Sequence, residues 1–242
     1  MKEEIKKENY LRIHSLGHIN LTDSKNNMIL LENQKAYELF FYLFHHSNQI
    51  MTKDQIIEDL FPQTSQTSAD GSFHTILYQM RKKFNAIGIK DVIGYKGGIY
   101  YLNIEVQSDI KQLESLLELT PNEERIHQLL SLYKGKYFEG FSYRWAQQYG
   151  KIIHTKCIKW VKDALHLETL SKDILNQLLI LFEEDYLTDL SLLEKLVVNL
   201  DRQKEYVQIK ALLLNTQKYW EHYNVLFPLD FEKSYDEIYI RK

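Results

Sequence analysis

The apolar residues of this chain change period once, near Glu105, and that change excludes a single uniform architecture. Before it, short runs of period two alternate with runs of period near 3.6. After it, every apolar run has helical spacing. A length of 242 residues accommodates two ordinary domains, and the switch places them: a charged tail at 1–9, a mixed α+β domain at 10–105 and an all-α domain at 108–242.

In the first part, Leu11 and Ile13 alternate, as do Ile19 and Leu21, and Met28–Leu31 (MILL) reads as a further strand across an Asp23–Asn27 turn. A helix follows from Gln34 to His46, with Ala36, Leu39, Phe40, Leu43 and Phe44 on one face. Thr52-Lys53-Asp54-Gln55 is a capping box that opens a second helix, which Pro62 ends.

The third helix is the informative one. After the polar stretch PQTSQTSADG, Phe73, Ile76, Leu77, Met80 and Phe84 fall at i, i+3, i+4, i+7 and i+11, forming one apolar stripe. The opposite face holds Thr75, Tyr78, Gln79 and Lys82, flanked by His74, Arg81 and Lys83, and no acid lies between Ser72 and Lys90. A merely solvated face mixes both signs to gain i,i+4 pairing. Bases, amide and hydroxyls without acids suit base edges and phosphates instead. Directly behind it, Asp91–Ile93 and Ile99–Leu102 flank Gly94-Tyr95-Lys96-Gly97-Gly98, a hairpin with a cationic tip. Three helices and such a hairpin make a winged helix-turn-helix. Its third helix is expected in the major groove and Lys96 against the minor groove or backbone of double-stranded DNA.

Net charge does not oppose this. The chain carries a formal −3, yet residues 1–105 hold twelve Lys or Arg against twelve Asp or Glu, so the excess acid lies in the helical part. That part opens with Ser108 as a helix cap. A capping box follows at Thr120-Pro121-Asn122-Glu123, then a long helix from Tyr143 to about Leu170, then helices near 172–183, 188–199 and 201–219 and one after Pro228. Serial helices with short connections imply stacked helical hairpins of TPR-like type, although no strict 34-residue repeat is visible. The aromatic positions Trp145, Tyr149, Trp160, Tyr206, Tyr219 and Trp220 are expected as core between paired helices.

The order of sheet, three helices and hairpin, ending QMRKKF…VIGYKGGIYYL, resembles the OmpR/PhoB-type winged helix. Lys96 stands where that family's wing signature has Arg, and Ile99 where it has a second Gly. The resemblance implies that the loop between the second and third helices, here Gln63, Thr64, Ser65, Gln66 and Thr67, contacts RNA polymerase. The stretch LYKGKYFEGFSYRWAQQYGKIIHTKCIKWVKDAL is similar to the bacterial transcriptional activation domain of SARP-type regulators, and the ending YWEHYNVLFPLDFEKSYDEIY resembles that domain's last turn. The two resemblances imply a transcriptional regulator that binds direct repeats as a homodimer, at least on DNA. The helical part would serve assembly, signal input or a peptide or protein partner. No receiver domain precedes the winged helix, so phosphorylation control of the response-regulator kind is not expected.

Other chemistries find little support. Cys157 is the single cysteine, which excludes a disulfide framework and a multi-cysteine metal site. His14 and His18 lie four apart on a strand and its turn, where that spacing does not converge, and His45 and His46 point to different sides. No catalytic constellation, metal or cofactor is expected. The charged N-terminus lacks a signal-peptide core, and Leu39–Phe44 is too short to span a bilayer, so a cytoplasmic location without membrane contact is expected. Two further classes fit the same residues: a scaffold whose winged helix packs on a partner instead of DNA, and a switch sensing a ligand or peptide in its helical part. Because the apolar stripes are complete within 10–105, a fragment ending at residue 106 is expected to fold and bind DNA.

Overall fold

A computed structural model of the chain describes residues 10–167 and 170–225. The tail at 1–9 and the helix expected after Pro228 lie outside the described residues. Among those described, contacts divide the chain into two compact units. One consists of 10–116 and 132–154, the other of 117–131 and 155–225.

The first unit begins with β1 (Tyr10–His14) and β2 (Asn20–Asp23), an antiparallel pair, and β6 (Glu105–Ser108) adds to β1 in parallel. Leu11, Ile13 and Leu21 are buried from this sheet, as their alternation demands. Met28–Leu31 does not form the expected strand: it makes one bridge, Thr22 to Met28. The Asp23 carboxylate accepts from the amides of Lys25 and Asn27 and from the Asn27 side chain, closing a turn that brings Ile29 N back to Leu21 O at 2.8 Å. The burial pattern nevertheless alternates, with Ile29 and Leu31 inside and Met28 and Leu30 outside.

Helices α1 (Gln34–His45), α2 (Lys53–Leu60) and α3 (Gln66–Ala86) come next, with the two-residue strand β3 (Met51–Thr52) before α2. Both parts of the Thr52–Gln55 capping box form. Helix α3 starts five residues before Gly71, earlier than the polar run suggests. Its first turns are held by Ala69, which is fully buried, and by an Asp70–Lys53 ion pair at 3.0 Å. Strands β4 (Ile93–Lys96) and β5 (Ile99–Leu102) form the hairpin, and β5 pairs with β3 on its other edge.

Helix α1 departs most from its expected one-faced burial. Every residue from Glu38 to Phe44 is buried. The inner face meets α3, with Phe40 5.5 Å from Phe84 between ring centres. The outer face is covered by residues 137–149. Phe138 lies 5.0 Å from Phe41, Trp145 stands edge-on 5.5 Å from Tyr42, and Tyr149 stands edge-on 4.9 Å from His45. Backbone bonds bind this segment to the end of β1: Phe138 N donates to Ser15 O at 2.8 Å and Gly17 N to Lys136 O at 3.3 Å. Gly17 is required there. It has φ +86°, and an added Cβ would fall 2.8 Å from the Lys134 carbonyl carbon and oxygen. Below this contact the buried Asp109, at the start of α4 (Asp109–Leu117), accepts from Ser15 N and Oγ, both at 2.7 Å, and from Leu16 N at 2.9 Å, so its charge is fully hydrogen-bonded. Residues 10–105 therefore do not complete their own core, and a cut at 106 would bare Phe41, Tyr42 and their neighbours.

The second unit holds α5 (Glu123–Leu132, but for its last residue), the end of α6 (Arg144–Ala164), α7 (Lys172–Leu181), the single turn α8 (Glu183–Tyr186), α9 (Leu190–Arg202) and α10 (Tyr206–His222). The cap of α5 is Asn122, whose Oδ1 accepts from Arg125 N at 2.8 Å, not Thr120; Thr120 instead gives its carbonyl to the Arg125 guanidinium. A 34-residue repeat is present in the packing. Helices α7 and α10 start 34 residues apart, and Leu175, Leu178 and Phe182 are buried at the positions equivalent to Ile209, Leu212 and Thr216. Polar side chains tie the copies with similar offsets: Asn199 to Leu165 O, Gln203 to Leu170 O and Trp220 to Leu187 O. Trp160 is core, donating to Leu119 O, whereas Tyr206 is exposed rather than buried. No helix among the described residues is long and apolar enough to cross a membrane.

Two measurements test this packing. Gly17→Ala forces a Cβ against backbone in a left-handed conformation and should cost about 1–3 kcal/mol, read as a lowered chemical midpoint at unchanged m-value. An unchanged midpoint would mean that residues 134–138 do not press on β1. His45 is held neutral: burial, then the neighbouring His46, pushes it down from its ordinary 6.5 to about 4. The unfolded chain therefore takes up the proton first, and stability present above pH 6.5 is lost as the pH falls from 6.5 towards 4. Between pH 7 and 5 the wild type should lose more melting temperature than His45→Gln; parallel losses would contradict the assignment.

Candidate nucleic-acid interface

Phe73, Ile76, Leu77, Met80 and Phe84 of α3 are all buried, which turns the opposite side of the helix to solvent. His74, Thr75, Tyr78, Arg81 and Lys82 are exposed there, while Gln79 and Lys83 are half-buried. Gly71, one turn before Thr75, adds no bulk, and a Cβ at that position would meet nothing within 4 Å. Thr75 returns its hydroxyl to Gly71 O at 2.9 Å, leaving its methyl and lone pairs available. Asp70, the one acid of the helix, is neutralised by Lys53, and this pairing holds the lysine above its ordinary value. Along Ser72–Ala86 the exposed surface is free of carboxylate.

The hairpin is fixed to this helix. Arg81 donates to Ile93 O at 3.1 Å, so it braces α3 against β4 in addition to presenting charge. Tyr100, buried, stands edge-on to Phe73 at 5.1 Å and tilts against Tyr95 at 4.7 Å. The tip is Gly97-Gly98, with φ +60° and +86° between the paired Lys96 and Ile99. This is the two-residue turn that matches strand twist. Lys96 therefore sits beside the tip, exposed, next to the exposed ring of Tyr95. Gly94 accepts the ring of Tyr101 across the ladder, where a Cβ would come within 2.3 Å of it. Among these residues, sequence reasoning missed the Arg81 brace and the seating of Tyr101 over Gly94; the cross-strand register would have disclosed the second.

The loop residues Gln63, Thr64 and Ser65 are exposed between α2 and α3, and Gln66 and Thr67, also exposed, form the first turn of α3. Elsewhere, Cys157 is fully buried and its thiol is pushed up to about 12 by that burial, which makes it an unreactive core residue. Among the described residues no group of three His, Cys, Asp or Glu side chains could hold a metal ion.

No known protein family matches the chain, and no curated protein is similar to it. Its fold is similar to that of Mycobacterium tuberculosis EmbR, solved in complex with a low-affinity phosphopeptide, with a TM-score of 0.67 at 12% identity. The match covers 97% of this chain and 66% of that one, so this chain spans about two-thirds of EmbR. At that identity the likeness shows the fold alone: a mixed α+β arrangement of small sheets and many helices, consistent with a winged helix and a helical part.

Proposed function

We propose that this chain is a sequence-specific, DNA-binding transcriptional regulator. The observation that carries the reading is the acid-free exposed face of α3, tied through Arg81 and Tyr100 to a hairpin that presents Lys96. Thr75, Tyr78, Gln79 and Lys82 face base edges in the major groove, and His74, Arg81, Lys83 and Lys96 engage phosphates or the minor groove. A single winged helix reads few base pairs, so two copies on adjacent half-sites supply specificity, and the protein is a homodimer at least on DNA. The loop at 63–67 meets RNA polymerase. The stacked hairpins of the second unit offer a surface for assembly or for a peptide or protein partner. The phosphopeptide is bound by EmbR, and since about a third of that chain has no counterpart here, it assigns no ligand to this protein. A cytoplasmic location follows from this role, and no catalytic activity is proposed.

Duplex affinity should fall steeply with salt as Lys and Arg displace counterions from phosphates. Lys96→Ala should weaken all sites alike and lower the slope of log K against log salt by about 1. A flat salt response, or no binding to any genomic fragment, would favour a winged helix that docks on protein.

A further inference from the structure

Helix α1 begins at an N-cap that also touches the proposed reading face. Asn33 lies in extended backbone, and its Oδ1 accepts from Ala36 N at 2.9 Å. That bond fixes which way the Asn33 amide points, because only its oxygen can accept from the helix amide. Its Nδ2 is then directed at α3, where it donates to Gln79 Oε1 at 3.4 Å. Gln79 belongs to the half-buried edge of the face, and among the described residues its Nε2 has no hydrogen-bond partner. Through this long, exposed bond the cap of one helix favours one amide orientation of a residue on another, 46 positions away.

This matters because an unconstrained glutamine offers both an acceptor and a donor. That combination suits adenine, whose major-groove edge has an N6 donor beside the N7 acceptor. With Oε1 turned to Asn33, Gln79 presents its two N–H donors outward. Guanine, with N7 and O6 both acceptors, is the edge that accepts two donors, and cytosine, with its N4 donor, is the edge that repels them. We infer that Asn33 is a specificity-positioning residue: by holding Gln79 Oε1, it makes Gln79 a donor-only reader that selects guanine over adenine and cytosine at one base pair. This inference rests on the DNA-binding reading above.

The test uses full-length protein, a randomised duplex library and sequencing of the bound fraction. Variants are Gln79→Ala, Asn33→Ser and Asn33→Asp. Serine and aspartate are both good N-caps, so α1 is retained, and thermal melting checks that it is. Gln79→Ala identifies the base pair that Gln79 reads by removing preference there, with guanine lost. Asn33→Ser frees the Gln79 amide and should admit adenine at that pair. Asn33→Asp accepts from Gln79 Nε2, turns Oε1 outward and should move preference to cytosine or adenine, a change in relative enrichment of roughly tenfold. The added carboxylate also weakens all sites, but it does so without favouring one base. If both Asn33 variants leave that pair as in the wild type, Asn33 does not orient Gln79 and the inference is overturned while base reading stands. If Gln79→Ala changes no position, base reading by Gln79 falls and the inference with it. Absence of duplex binding by the wild type would overturn the regulator reading itself.

Discussion

The burial of helix α1 on both sides is the constraint on which the first unit depends. Six consecutive large apolar residues, Leu39–Phe44, cannot be covered by one neighbour, because a helix turns 100° per residue. The chain meets the need with two layers: α3 and β5 inside, and residues 137–149 outside. The inner layer is the back of the proposed reading helix. The outer layer reaches its place by close backbone contact at Gly17 and is stabilised by the hydrogen-bonded Asp109. The helix behind the proposed reading face is thus packed by residues far from it in sequence.

Polar atoms then set the details. Lys53 neutralises the one acid of α3, Arg81 ties that helix to the hairpin, and two successive glycines of positive φ place Lys96 beside the tip. In the second unit the same logic recurs at intervals of 33 or 34 residues, where side-chain amides and an indole N–H satisfy carbonyls at the ends of helices (Leu165, Leu187) or just before one (Leu170). Each such bond costs little conformational freedom, since both partners sit on elements already fixed by apolar packing.

Most of the winged helix could be read from local signals. The Thr52 capping box and the stripe from Phe73 to Phe84 are short-range patterns and form as expected; the hairpin also forms, but it closes on Gly97-Gly98 alone, with Gly94–Lys96 in β4 instead of in a five-residue tip. The start of α3 could not be read, because a polar first turn held by Ala69 and an ion pair has no helical stripe. Likewise, α1 offered no hint that its second face would be covered from residue 137 onward, since such pairing lies in complementarity between distant segments. The repeat is not legible in the sequence for a related reason. Leu175 and Ile209, or Phe182 and Thr216, are equivalent in burial but not in identity.

If the chain is a DNA-binding regulator, α3 and the hairpin behind it meet the duplex, and hydrogen–deuterium exchange on the full-length protein, alone and with its selected duplex, reads that contact. Added protection should appear over Thr75–Lys83 of α3 and over β4, the Gly97-Gly98 turn and Ile99, and should vanish at high salt. Protection confined to the helices after Thr155, with α3 and the hairpin unchanged, would contradict the account.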